Sequence, residues 1–234
     1  MDKVILCIKN FINNLIETGL ENASIATMNM AYQEKANAIT HGIGTLLSII
    51  GLFILLYMAL NKGSYWHIVS FSIYGSTLVI LYLASTIYHG LPDTKIKRTF
   101  QVFDHSAIYL LIAGSYTPIT LISLHGSWGW TLFGLVWGIA LMGIFLKILL
   151  FKKTQVLSVF LYLNMGLLII TATKPLLEVV PVNMLLWIVG GGFLYLFGVF
   201  FFLAPKIRYH HTIWHLFVLG GSITHFLAIL LYLT

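Results

Sequence analysis

The chain is expected to be an all-α, polytopic membrane protein of seven transmembrane helices, and three features of the sequence lead there. Of its 234 residues, 59% are hydrophobic and only 9% charged, with a mean hydropathy of +0.93, too little polar material to cover a water-facing surface. Apolar runs of about 20 residues, the length that crosses a ~30 Å hydrocarbon core, recur between short polar breaks. The runs show no strand alternation, and a helix satisfies its own backbone inside lipid.

Ahead of the first run, Val4, Ile5, Ile8, Phe11, Ile12, Leu15 and Ile16 recur at helical spacing opposite Lys9, Asn10, Asn13, Asn14 and Glu17. This pattern predicts an amphipathic helix on the cytoplasmic membrane surface. A cleaved signal peptide is the rival reading, but Lys9 and Asn10 interrupt its apolar stretch and no small-residue cleavage site follows. Residues 17–38 read as a polar connector. The chain thus divides into an N-terminal segment, 1–33, and one seven-helix domain, 34–234.

The seven spans are expected at 39–60, 66–89, 105–125, 128–148, 156–174, 183–203 and 212–233. Pro118 implies a kink in span three. Gly134, Gly138 and the cluster Gly190, Gly191 and Gly192 read as places where helices approach closely.

Lys and Arg are retained on the cytoplasmic side of short loops. The N-terminal segment and the breaks after spans two, four and six hold Lys3, Lys9, Lys35, Lys95, Lys97, Arg98, Lys147, Lys152, Lys153, Lys206 and Arg208, against Lys62 and Lys174 in the others. The N-terminus is therefore expected in the cytoplasm and the C-terminus outside. The net charge of +6 follows from this sidedness. Spread over short loops, it argues for anionic lipid contacts and against a nucleic-acid partner. The single Cys7 permits no internal disulfide and reads as a free thiol. Asn22-Ala23-Ser24 matches a glycosylation acceptor but falls on the cytoplasmic side.

The ionisable residues gather at one membrane face. His41 opens span one, His89 closes span two, Asp104 and His105 open span three, and His210, His211 and His215 open span seven. His211 and His215, four residues apart, share one helix face, a two-pronged metal grip. His89, at the same depth, offers a third imidazole. Three imidazoles and an open position describe a catalytic-type zinc site better than a closed structural one, and one Cys excludes a thiolate cage. Asp104 is the sole acid at that depth among the spans, where a carboxylate can orient a metal-bound water or take its proton. The bland alternative, a polar cluster that joins helices without metal, stays open on these grounds.

His225 lies ten residues beyond His215, about 15 Å along a helix and too far to share an ion. His41 is read either as a hydrogen-bonding neighbour of the site or as an interfacial helix-start residue. His67 and His125 fall at the opposite face.

Glu34-Lys35-Ala36-Asn37, Ile39-Thr40-His41-Gly42-Ile43-Gly44, Ser85-x-x-x-His89, Phe103-Asp104-His105-Ser106, Gly114-Ser115-Tyr116-Thr117-Pro118 and His211-x-x-x-His215 occur in that order. Together they resemble the hemolysin III family, the bacterial branch of the progestin and adiponectin receptor family, from about residue 34 onward. The resemblance implies a multi-pass protein of the cell membrane. It also implies zinc held by His89, His211 and His215, Asp104 holding the zinc-bound water, and Ser85 as a hydroxyl behind the ligands or against substrate. It carries no zinc role to His105. The wider superfamily, with its alkaline ceramidases, is regarded as metal-dependent membrane hydrolases.

Three functions follow as expectations. The leading one is a zinc-dependent intramembrane hydrolase of a lipid amide, with Asp104 and Ser85 as catalytic residues and membrane lipid as partner and substrate. A zinc-stabilised regulatory or receptor-like protein is the alternative, supported by the lack of a further acid to assist a leaving group. A cytolysin, as the family name implies, is disfavoured because seven apolar spans need a membrane from synthesis onward.

Overall fold

The structure, a computed structural model, describes the backbone of residues 2–234 and the side chains of residues 27–234, Lys152 excepted. Seven helices are long and apolar enough to cross a membrane: Thr27–Lys62, Tyr65–Gly90, Lys95–Ser123, Ser127–Leu150, Gln155–Val179, Val182–Phe202 and His210–Leu233, here called spans one to seven. The described residues contain no strand. The amphipathic face expected over 4–16 lies outside the described side chains.

Span one shows an outward face that is apolar, the reverse of a soluble protein. On span one, Leu46, Ile50, Phe53 and Tyr57 point outward, while Asn37, His41, Thr45 and Ser48 are buried. With lipid as solvent, apolar side chains gain nothing by hiding, and polar ones must find partners inside. The hydroxyls of Thr45 and Ser48 do so locally, donating to His41 O and Thr45 O, each at 2.9 Å. Spans two and three pack on one another, as do spans six and seven, and span one lies against spans two and seven. Span five packs on spans three and four, and among the described residues it has no substantial packing against span six.

Two boundaries differ from the sequence reading. Span one is helical from Thr27 onward within one helix, Asp2–Lys62, so the expected connector is no separate link and Glu34 and Asn37 stand on the span itself. Gly63, at φ +68°, ends that helix, its N–H donating to Ala59 O at 3.2 Å in the left-handed geometry that glycine adopts without strain. Span five runs on to Val179 through a 3₁₀ turn, Leu168–Ala172.

That turn is held from span three. Tyr116 donates its hydroxyl to Met165 O at 2.7 Å and accepts from Ile169 N–H at 2.8 Å, satisfying backbone groups that the change of helix type frees. Span three has its own irregularity where Pro118 removes a backbone donor. The helix passes there into a π-turn, Ile119–Ser123, and Thr117 and Thr120 donate back to Ala113 O and Tyr116 O at 2.9 and 3.0 Å.

The glycine reading needs correction. A Cβ on Gly134, Gly138 or Gly192 would meet nothing within 4 Å, and one on Gly190 only Thr224 at 4.0 Å. Of that set Gly191 alone is crowded, by His225 at 2.3 Å. The close approaches lie elsewhere: a Cβ on Gly114 would stand 2.1 Å from Thr77 Oγ1, and one on Gly143 2.4 Å from the Tyr109 ring. Small residues mark contacts only where a partner helix faces them, which spacing along one helix does not reveal.

Candidate metal centre

The end of span two, the start of span three and the start of span seven meet at one end of the bundle, against the early turns of span one. There His89, His211 and His215 each turn a ring nitrogen toward the others, all within 4.8 Å of one another. Their ring centroids are 4.7 to 5.1 Å apart. His211 and His215 come from adjacent turns of span seven, which begins after Tyr209, a residue in the left-handed region at φ 59°. His89 and His215 are buried, at 4% and 1% exposure.

Hydrogen bonds decide which nitrogen each ring presents. His89 Nδ1 lies 3.3 Å from Glu34 Oε1, and the other oxygen of that carboxylate is paired with Lys97 Nζ. An ionised carboxylate only accepts, so His89 Nδ1 carries the proton and donates it. The Asn37 amide, at 3.5 Å from the same nitrogen, then cannot be its donor. Asn37 Oδ1 accepts instead from Thr212 Oγ1 at 2.6 Å, which ties span one to span seven.

His215 Nδ1 is 3.3 Å from Asn37 O and 3.3 Å from Thr40 Oγ1. A carbonyl only accepts, and Thr40 already donates to Asn37 O at 2.9 Å. His215 Nδ1 is therefore the donor as well. Both rings are left with an unprotonated Nε2, and that of His89 is buried with no hydrogen-bond partner. An orphaned lone pair of this kind is costly in a protein interior unless something is meant to meet it.

Three imidazoles, two of them (His89 and His215) with the far nitrogen pinned to a carboxylate or carbonyl acceptor, form the donor set that divalent zinc takes. Zinc ligands stand ~2.0–2.1 Å from the ion, so the rings fit it after a modest drawing-in by side-chain torsion. The residues present fit a zinc ion.

The other predicted residues gather round. Asp104 is buried, faces His89 and Ser85, and does not join the three-nitrogen group. Ser85, one turn before His89, is fully buried and its hydroxyl faces the Asp104 carboxyl. Asp104, Ser85, His211 and His215 line a cavity of about 400 Å³ whose walls are mostly apolar. The cavity passes between spans five and six, where packing is thin.

His41 makes no hydrogen bond to the site. Its ring stacks on His215 at 3.5 Å and 12°, edge-on to Tyr82 at 5.0 Å, so it braces the imidazole by contact. His105 packs against Phe151 at 5.2 Å. His225 is bonded through Nε2 to Ile188 O at 2.9 Å, further along the same cavity. Glu34, Asn37, Thr40, Lys97 and Thr212 were not expected at the site. The first three fall within the motifs around His41, and the local pattern gives no sign of partners 52 to 178 positions away.

Comparison with known proteins agrees in extent with this architecture. A family described as Haemolysin-III related matches residues 30–226. The chain is 49% identical over 200 residues to the "Hemolysin-3 homolog" of Bacillus subtilis (strain 168), covering 86% of this chain and 94% of that protein. It is 46% identical over 200 residues to "Hemolysin-3" of Bacillus cereus, covering 86% and 91%. The human "Monocyte to macrophage differentiation factor" is 30% identical over 211 residues, covering 86% and 85%, a relation that extends to the progestin and adiponectin receptor proteins.

Proposed function

The chain belongs to the haemolysin-III related family, and from that premise we propose that it is a zinc-binding protein of the cell membrane that hydrolyses the amide bond of a lipid. The observation that carries this reading is the unpartnered, buried Nε2 of His89 grouped with His211 and His215 at the wall of an apolar cavity. A purely structural tie would close its fourth side with another protein ligand.

His89, His211 and His215 would hold the ion, with Glu34, Asn37 and Thr40 fixing the first and last of these rings. Bound there, zinc supplies a Lewis acid that polarises a carbonyl and acidifies water. Asp104 accepts the proton of the attacking water and returns it to the departing amine nitrogen. Ser85, whose hydroxyl faces Asp104 on the cavity wall, donates a hydrogen bond to the substrate's polar head. The apolar walls hold an acyl chain and keep bulk water from the reacting carbonyl.

A second reading rests on one observation: among the described residues Asp104 is the only carboxylate lining the cavity, so none of them offers a second acid to assist the leaving group. In that reading the ion staples spans two and seven, and the protein is regulatory or receptor-like.

The test measures metal content and lipid hydrolysis on the same purified protein, across several lipid classes that include ceramide-like amides. Asp104→Asn keeps the volume but cannot take up a proton. Zinc should remain near one per chain while hydrolysis falls by roughly 10²–10⁴, the range of a lost general base. Wild-type protein with zinc in place and no turnover on the whole panel decides for the regulator, and wild-type protein without metal sinks both readings.

A further inference from the structure

We infer that the cavity holds a single-chain anionic lipid whose headgroup oxygens sit on the ammonium of Lys147. Lys147 stands three residues before the end of span four, Ser127–Leu150, and its sequence position marks it as one more cytoplasmic loop charge. The structure turns it inward. Its side chain is 0% exposed, Nζ has no hydrogen-bond partner among the described residues, and no carboxylate pairs with it there. The Phe151 ring lies 4.9 Å from Nζ.

A lysine this close to a helix end normally extends its stem to the headgroup region and keeps its charge in water. Turned inward without a counter-ion, the charge is strongly unfavourable, so an anion from outside the chain is what the position calls for. Lys147 lines the cavity beside His105, Gln155 and Ser158. Away from this corner and from the polar groups around His211, His215 and Asp104, the wall is mostly aliphatic and aromatic, with Ile112, Ile119, Leu163 and Leu196 along it. One cation at one end and an apolar tunnel beyond match one anionic head and one acyl chain. About 400 Å³ lies within the ~300–1,000 Å³ usual for small-ligand sites. The thin packing between spans five and six lets such a molecule enter sideways from the bilayer.

The inference rests on reading the cavity as the lipid site, but its readout is binding and needs no turnover. Three probes share an oleoyl tail: lysophosphatidylglycerol, oleate and neutral monoolein. Each is titrated into detergent-purified full-length protein, and retention is followed by native mass spectrometry. Wild type should hold one or both anionic probes about tenfold more tightly than monoolein, as a charge-assisted contact requires. Preference for lysophosphatidylglycerol identifies a phosphate head, and preference for oleate a carboxylate.

Lys147→Met should bring the anionic probes down to the monoolein level, and Lys147→Arg should keep the preference. Retention in the arginine variant shows that the loss in the methionine variant is not misfolding. Gly192→Phe places a ring where nothing stands within 4 Å of a Cβ, on the cavity wall. It should weaken all three probes, whereas lipid bound to surface lysines would not respond. Equal retention of the three probes by wild type overturns the inference, as does a preference that survives Lys147→Met or binding that Gly192→Phe leaves unchanged. Anionic binding without hydrolysis of any amide keeps this site and sinks the catalytic reading, while hydrolysis of neutral amides with no anionic preference does the reverse.

Discussion

Glu34 illustrates how a residue outside the ligand set can govern a candidate metal site. Its carboxylate takes the Nδ1 proton of His89 on one oxygen and the ammonium of Lys97 on the other, which orients the ring and makes its free nitrogen more basic. Glu34→Gln retains an acceptor oxygen but loses the charge, so zinc affinity measured by chelator competition should fall by about 10–100-fold. Helix content should be unchanged. Unaltered affinity would show that the packing of His41 against His215 suffices to hold the rings. His211 and His215 were legible as a pair because the helical repeat puts residues four apart on one face. Glu34 was not, because its role depends on how span one lies against span two, 55 positions away in the chain. His41 was half legible: its place beside the site followed from its depth, but stacking in place of hydrogen bonding is settled by ring orientation.

Among the helices, the packing of spans two and three depends on the absence of a side chain at Gly114. A Cβ there would lie 2.1 Å from Thr77 Oγ1 and 2.9 Å from its Cβ, too close for the flexible end of a side chain alone to yield. Gly114→Ala should therefore lower stability by ~1–3 kcal/mol, read as a drop in thermal midpoint in detergent. Gly138→Ala meets nothing within 4 Å and should be neutral or slightly stabilising, since alanine favours helix over glycine by about 0.5–1 kcal/mol. Equal effects would mean that helix propensity, and not the contact, sets both. The existence of all seven spans was legible, because a lipid-facing helix must be apolar over most of its circumference. The start of span one was not. Its first turns carry Glu34, Asn37 and Thr40, polar because they serve the histidines, and polarity in a sequence reads as loop. The 3₁₀ turn of span five was equally hidden, since it is stabilised by a tyrosine from another span.

For the molecule as a whole, sidedness follows from charge and from the count of crossings. Seven spans place the termini on opposite sides of any membrane. The basic residues predict which: with Lys147 turned inward, ten Lys and Arg remain among the N-terminal segment and the breaks after spans two, four and six, against Lys62 and Lys174 in the other breaks. That imbalance is held on the cytoplasmic side. The histidines sit at the ends of spans two, three and seven that adjoin these basic breaks, so the charge argument predicts that the site and Lys147 face the cytoplasmic leaflet, which also carries most anionic lipid. A reporter that is active only after export should work when fused after Thr234 and stay silent when fused before Met1. Activity at the N-terminus alone would mean that the chain inserts the other way up. The charge argument would then fail, and the cavity would draw its lipid from the outer leaflet with the metal geometry intact. Equal activity at both ends would be more damaging, because an even number of crossings would put the end of span two and the start of span seven on opposite faces and separate His89 from His211 and His215.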